Sequence, residues 1–172
     1  MTNEFGYHLL TKLDDGPSGT AWRARARISG GRALVRVFHG SRWEDAQARG
    51  VFQERAEALG QLNHPHLARQ LQAGCLDDGR PYVVSEYLDG EDLGSHLRKE
   101  GPLTPDEMAL LLLPLCSVLE ELRERGIVVQ ALPSGQVFLV GGLPRFTPKL
   151  IGPGLGDAGD GFNPRGDVVA LG

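Results

Sequence analysis

The sequence has few of the residues that mark specialised classes of protein. Cysteine occurs only twice in 172 residues, at positions far apart, so a small disulfide-bonded scaffold is excluded. The 18 Lys and Arg residues are outnumbered by the 22 Asp and Glu residues, which gives a net charge of -4. Because this balance supplies no basic surface, we expect no nucleic-acid partner.

Long apolar runs are also missing. No segment is long enough to span a bilayer, and no signal-peptide pattern follows Met1, so we expect no membrane segment and a cytoplasmic location. Cys75 and Cys116 are then expected to be reduced. His64 and His66 lack further ligands at the spacing of a metal site, and no metal is expected.

The first half of the chain contains the pattern of an antiparallel sheet with one helix. Short segments rich in strand-forming residues, separated by turn signals, predict strands over residues 7–13, 20–28, 33–38, 67–76 and 81–88. Residues 43–62 change to helical spacing. The predicted buried face of this helix carries Val51, Ala58, Leu59 and Leu62.

The second half predicts two helices and several short strands. A short helix is expected over residues 92–99. Thr104 and Glu107 form a capping box around Pro105, and the long helix that begins there should end at Gly126. Short strands are expected over residues 127–129, 136–140 and 145–151, and a further helix start over residues 167–171. This order predicts an α+β fold of two lobes joined near residues 86–89.

Several segments resemble, in order and spacing, those of bacterial Ser/Thr protein kinases of the eukaryotic-like type. They are residues 62–67 (LNHPHL), 82–90 (YVVSEYLDG), 101–104 (GPLT), 126–128 (GIV) and 167–172 (DVVALG). The resemblance implies a protein-kinase-like bilobal fold. Residues 1–88 would form an N-lobe with an antiparallel sheet and one packed helix, and residues 89–172 a partial, mainly helical C-lobe. Because the chain stops where the central large-lobe helix would begin, we expect a piece of a longer protein.

The resemblance also assigns the loop and the hinge of a nucleotide site. The glycine-rich loop matches Asp14, Gly16 and Gly19, so a carboxylate stands where one glycine of the family would lie near the phosphates. The strand and hinge beside the adenine match residues 82–90. The candidate site residues in that segment are Ser85, Glu86 and Leu88.

Four other positions of the implied nucleotide site are altered. Arg36 matches the lysine that holds the phosphates, and Leu34 stands where a small residue roofs the adenine. The helix glutamate that pairs with the lysine matches Arg55, and Glu54 beside it is the candidate replacement. Phe138 matches an aliphatic floor residue, so Leu34 and Phe138 are expected to narrow the pocket from both sides.

The positions that the resemblance assigns to catalysis lack the side chains that catalysis requires. Ala131 stands at the general base, and Gln136 and Gly152 stand at the two metal-binding positions. The carboxylates of Asp157 and Asp160 follow in a glycine-rich segment and are interpreted as turn residues. The resemblance therefore implies no catalytic residue and no Mg²⁺ site.

These positions lead us to expect a catalytically inactive kinase-like domain, a pseudokinase and not an enzyme, which acts as a protein-interaction or regulatory module without a cofactor. ATP binding is not favoured. The alternative is a divergent nucleotide-binding sensor or weakly active Ser/Thr protein kinase that holds ATP with Arg36 and Glu54. The apolar helix over residues 110–122 is expected to be covered by a protein partner, a second copy or the remainder of a longer chain.

Overall fold

The computed structural model describes residues 6–16, 19–129, 131–142 and 145–155. The chain forms two compact units. The first unit consists of the residues up to 62 together with 69–87. The second unit consists of residues 63–68 together with those from 88 onward.

The first unit is a five-stranded antiparallel sheet with one helix. Its strands are β1 (Tyr7–Gly16), β2 (Gly19–Ala26), β3 (Arg32–Phe38), β4 (Gln70–Cys75) and β5 (Pro81–Glu86), and their order in the sheet is β1-β2-β3-β5-β4. A 3₁₀ turn (Ser41–Glu44) and helix α1 (Ala46–Gly60) connect β3 to β4. The predicted antiparallel sheet and the helix are confirmed, and the first three strands pair consecutively.

Side chains from β3 and β5 form the core of this sheet. Val35 and Val84 lie directly opposite each other and are completely buried. Ala24, Ala33, Val37 and Tyr82 complete the same buried cluster. Tyr7, Leu9, Trp22 and Leu76 pack against it from the edges.

Helix α1 packs through a face that differs from the predicted one. Its buried residues are Phe52, Ala56 and Leu59, spaced four and three residues apart. Phe52 meets Phe38 and Trp43 edge-on, with ring centroids 5.4 Å and 5.6 Å away. Val51 and Ala58 are only half-buried, so the prediction of the buried face was wrong for these two residues.

The second unit combines two helices with a small antiparallel sheet. The elements are β6 (Gly90–Asp92), α2 (Leu93–Lys99), α3 (Pro105–Glu124), a 3₁₀ turn (Ser134–Gln136), β7 (Val137–Val140) and β8 (Thr147–Leu150). The sheet order is β6-β7-β8. Residues 63–68 belong to this unit because Leu67 and Leu150 form a parallel bridge, where the Ala68 N–H donates to the Leu150 carbonyl at 2.7 Å.

Helix α3 begins as the sequence predicts. The Thr104 hydroxyl accepts from the Glu107 N–H, and the Glu107 side chain accepts from the Thr104 N–H, which confirms the capping box. One face of the helix is buried through Leu111, Leu115, Val118 and Leu122. Leu110, Leu112 and Leu113 are exposed. The expectation that something outside these residues covers them stays a prediction. In the described part of the chain, no helix combines the length and apolar character needed to cross a membrane.

Three further predictions need correction or lie outside the described residues. Residues 127–129 do not form a strand; Ile127 is buried, and its N–H donates to the Leu122 carbonyl at 2.9 Å, which closes the end of α3. The short strand β6 was not predicted. Cys75 and Cys116 are free, and both are exposed. The predicted helix start at residues 167–171 lies outside the described residues.

Truncation of Phe52 should destabilise the first unit strongly. The side chain is 3% exposed and fills the centre of the aromatic cluster. Replacing a buried Phe by Ala costs about 3–5 kcal/mol. We expect the free energy of unfolding of Phe52→Ala, measured by urea titration with circular dichroism, to fall by about that amount.

The control for this measurement is Ile28→Ala. Ile28 lies in the turn after β2 and is fully exposed, so its truncation should change the free energy of unfolding by less than about 0.5 kcal/mol. Equal midpoints for the two variants would contradict the packing described for α1.

Candidate functional site

The register of β2, β3 and β5 places several predicted nucleotide residues on one face of the first-unit sheet. Leu34 lies opposite Ser85 on β5, and Arg36 lies opposite Val83. Directly paired residues of antiparallel strands project to the same face, and so do residues two apart in one strand. Leu34, Arg36 and Ser85 therefore share a face, on which Ser85 is buried and Leu34 and Arg36 are half-buried.

The two predicted loop glycines flank the β1–β2 turn. Gly16 and Gly19 are register partners at its base. Gly19 has a φ of 153°, and a Cβ built there would lie 2.4 Å from the carbonyl oxygen of Val37. Since real Cβ atoms essentially never come so close to another atom, β2 and β3 can approach at this point only with glycine.

The carboxylate of Asp15 beside this turn is already engaged. It accepts from the Lys12 ammonium at 2.7 Å and from the Thr20 hydroxyl at 2.7 Å. The hydrogen bond from Lys12, together with that from Thr20, lowers the pKa of the Asp15 carboxyl. The Thr20 hydroxyl also lies 3.0 Å from Nε2 of His39. Asp15 is therefore held by its neighbours in the first unit.

Arg36 differs from Asp15 because its charge is not neutralised by direct contact. Among the described residues, its half-buried guanidinium makes no hydrogen bond and no ion pair. Burial lowers the pKa of Arg36, and the charge of Asp14 acts in the opposite direction. Asp14 pairs with Ala21, and Ala21 pairs with Arg36, so the two charges lie in one row across the sheet.

Glu54 is not brought to Arg36. It lies on α1 and is exposed, and no ion pair joins it to Arg36 within the described residues. The neighbouring polar pair on α1 is Gln53 and Glu57, which are joined by a hydrogen bond of 3.3 Å. Among the described residues, Glu54 therefore does not take the place of the helix glutamate as the ion-pair partner of Arg36.

The predicted hinge residues are fixed mainly by the backbone. The Glu86 N–H donates to the Arg69 carbonyl at 2.9 Å, and the Glu86 carboxylate accepts from the Arg69 N–H at 3.0 Å. This double contact ties the end of β5 to the segment before β4. Leu88 is buried and belongs to the second unit.

The second unit contains the remaining predicted positions. Gln136 ends the 3₁₀ turn, where its N–H donates to Pro133 and its carbonyl accepts from Ile151. Its side-chain oxygen Oε1 is buried and has no hydrogen-bond partner among the described residues. Phe138 is half-buried in β7, and its register partners are Asp92 and Lys149.

The described residues at the expected metal positions do not fit Mg²⁺. Proteins hold this ion through one or two carboxylates together with substrate phosphates. Ala131 and Gly152 offer no side-chain ligand, and Gln136 offers one amide oxygen. No group of three His, Cys, Asp or Glu side chains suited to a metal occurs in the described part of the chain. Asp157 and Asp160 lie outside it.

A five-stranded antiparallel sheet with one helix, followed by a mainly helical unit, is the architecture of protein kinases. Residues 7–143 match the family of protein tyrosine and serine/threonine kinases. Since this match covers most of the chain, the chain belongs to that family, and the predicted family and fold class are confirmed.

The curated relatives come from several bacteria. The chain is 29% identical over 125 residues to a probable serine/threonine-protein kinase of Corynebacterium efficiens, covering 71% of this chain and 19% of that protein. It is 26% identical over 127 residues to the serine/threonine-protein kinase pkn3 of Myxococcus xanthus, covering 74% of this chain and 23% of that protein. The chain thus spans about a fifth of the length of these relatives. Because both are named as kinases, the expectation that the chain is not an enzyme is contradicted.

The solved structures support the fold. The kinase domain of Mycobacterium tuberculosis PknI superposes with a TM-score of 0.80 at 21% identity, covering 91% of this chain and 61% of that one. At this level of identity the likeness shows the fold alone.

Sequence reasoning found the residues of the shared face but not the charge relations between them. It identified Arg36 and Asp14 separately, by their positions in the family pattern. It did not foresee that Asp14 acts on Arg36 across β2, or that Lys12 and Thr20 engage Asp15. The strand register determines which of these residues lie in one row. The β1–β2 pairing contains two irregularities, so the register cannot be obtained by counting residues from the turn.

Replacing Gly19 by alanine should distort the β1–β2 turn, because the new methyl group would meet the Val37 carbonyl. We expect a loss of stability of about 1–3 kcal/mol, the range for overpacking at a site that cannot relax freely. Gly31→Ala is the control, since its closest contact would be Ser29 Oγ at an ordinary 3.4 Å. Equal thermal midpoints for the two variants would show that the close approach at Gly19 is wrong.

Proposed function

We propose that the chain is a Ser/Thr protein-kinase domain that binds an adenine nucleotide weakly and transfers its phosphoryl group slowly. The observation that carries this proposal is the half-buried Arg36 guanidinium, which lacks a bonded partner among the described residues and shares a face with Leu34 and Ser85. A cation in such a position is ready to bind an anion. Arginine also presents a planar fork of donors that matches phosphate oxygens.

The slow rate follows from the residues at the catalytic positions. A general base contributes typically about 10²–10⁴-fold to a rate, and Ala131 cannot act as one. Phosphoryl transfer otherwise depends on positioning and on neutralising charge, which in most kinases is the task of Mg²⁺. In this chain Arg36 supplies part of that neutralisation. The bacterial relatives are named as serine/threonine-protein kinases, which supports a signalling role. A cytoplasmic location is proposed together with this role.

The proposal predicts a measurable transfer that depends on Arg36. Incubation with γ-labelled ATP and a basic Ser/Thr-rich protein substrate should give slow incorporation above a heat-treated sample. The rate of Arg36→Ala should fall to the background, and Arg36→Lys should recover part of it, because an ammonium keeps the charge without the fork.

The control is Arg125→Ala, which removes the same charge from an exposed position at the end of α3. It should leave the rate unchanged. No incorporation by the unaltered chain, or equal incorporation by Arg36→Ala, would contradict the catalytic part of the proposal.

Leu34 should limit nucleotide affinity. Its side chain stands beside Ser85 on the shared face, where added bulk acts as overpacking of about 1–3 kcal/mol against a flat base. We expect Leu34→Ala to bind ATP more tightly than the unaltered chain in calorimetry. Weaker binding by Leu34→Ala would mean that this side chain supports the nucleotide instead of narrowing its site.

A further inference from the structure

The neighbouring carboxylates of Asp14 and Asp15 differ in their bonded partners. Asp15 is engaged by Lys12 and Thr20, each at 2.7 Å. Asp14 is exposed and has no such partner among the described residues, but its charge acts on Arg36 along the row that the register defines. Asp14 is therefore an exposed carboxylate that shares a row of the sheet with a half-buried cation, with β2 between them.

The described residues at the metal positions do not supply the ligand set that a divalent ion requires. Gln136 offers one buried amide oxygen, and Ala131 and Gly152 offer none. A nucleoside triphosphate carries up to four negative charges that must be offset in its site. Arg36 is a half-buried cation on the shared face that can offset part of this charge.

We propose that the polyphosphate of a metal-free nucleoside triphosphate binds Arg36 by replacing Asp14 as its counter-charge, so that binding needs no divalent cation and Asp14 weakens it. This inference rests on the proposed nucleotide site and adds to it the form of the ligand and a residue that sets the affinity. Asp14 contacts no reacting atom in this account and acts only through Arg36.

Two consequences separate this arrangement from an ordinary magnesium-dependent site. Affinity should follow phosphate charge, in the order ATP, ADP, AMP. It should fall as ionic strength rises, because Arg36 is only half-buried and Asp14 is exposed. Removing the competing carboxylate should strengthen binding. Removing the carboxylate of Asp15 should not, since the Lys12 ammonium already offsets its charge in an ion pair of 2.7 Å.

The experiment is titration calorimetry of the full chain with ATP in EDTA and, separately, in excess Mg²⁺. We expect the affinity in EDTA to equal or exceed that in Mg²⁺. Asp14→Asn should lower the dissociation constant in EDTA roughly three- to tenfold, the effect of one removed like charge at moderate screening. Asp15→Asn, the matched control, should change it less than twofold, and Arg36→Ala should abolish binding. Inorganic tripolyphosphate should compete with ATP.

The outcomes distinguish this inference from the proposed function. Binding that appears only with Mg²⁺ would overturn the inference while leaving a nucleotide-binding kinase domain in place. Equal effects of Asp14→Asn and Asp15→Asn would overturn the role of Asp14. No binding of ATP by the unaltered chain or by Leu34→Ala, in either buffer, would overturn both proposals. Circular dichroism of each variant checks that the sheet is intact. The two Asp→Asn substitutions keep the size of the side chain.

Discussion

The cross-strand pairing of Val35 with Val84 is the constraint on which the first unit depends. Both side chains are completely buried, so the register between β3 and β5 cannot slip by one residue without turning them to the opposite face. The same register places Arg36 and Leu34 on the other side of the sheet, away from the valine core. The packing of Val35 against Val84 therefore fixes the position of Arg36, although Arg36 lies on the opposite face.

This arrangement also explains why Arg36 is tolerated. A cation with no contact partner is costly when fully buried, but Arg36 is half-exposed and lies in line with the carboxylate of Asp14. The long arginine side chain can cover apolar surface with its methylene groups while the guanidinium keeps part of its hydration. A shorter or uncharged residue at position 36 would remove the alignment of this cation with Asp14.

Much of the fold was predictable because its signals are local. Alternating patterns placed the first three strands, and Thr104 and Glu107 placed the start of α3. The buried face of α1 was predicted incorrectly because it is set by Phe38 and Trp43, which lie outside the helix and attract Phe52. β6 is three residues long and exists through pairing with β7, which no local pattern indicates. At the candidate site, the family pattern was enough to identify the residues. Which charged residues share a row depends on the pairing of β1, β2 and β3.

The altered catalytic positions and the retained family membership are compatible on physical grounds. A general base and metal ligands act most strongly on the transition state, whereas a phosphate-binding cation also stabilises the bound ground state. Ala131, Gln136 and Gly152 all belong to the second unit, and Arg36, Leu34 and Ser85 all belong to the first. The altered catalytic positions are therefore separated in the chain from the first-unit residues of the proposed nucleotide site. Under the proposed function, a chain altered in this way loses rate before it loses binding, and the balance of charge around Arg36 sets its affinity.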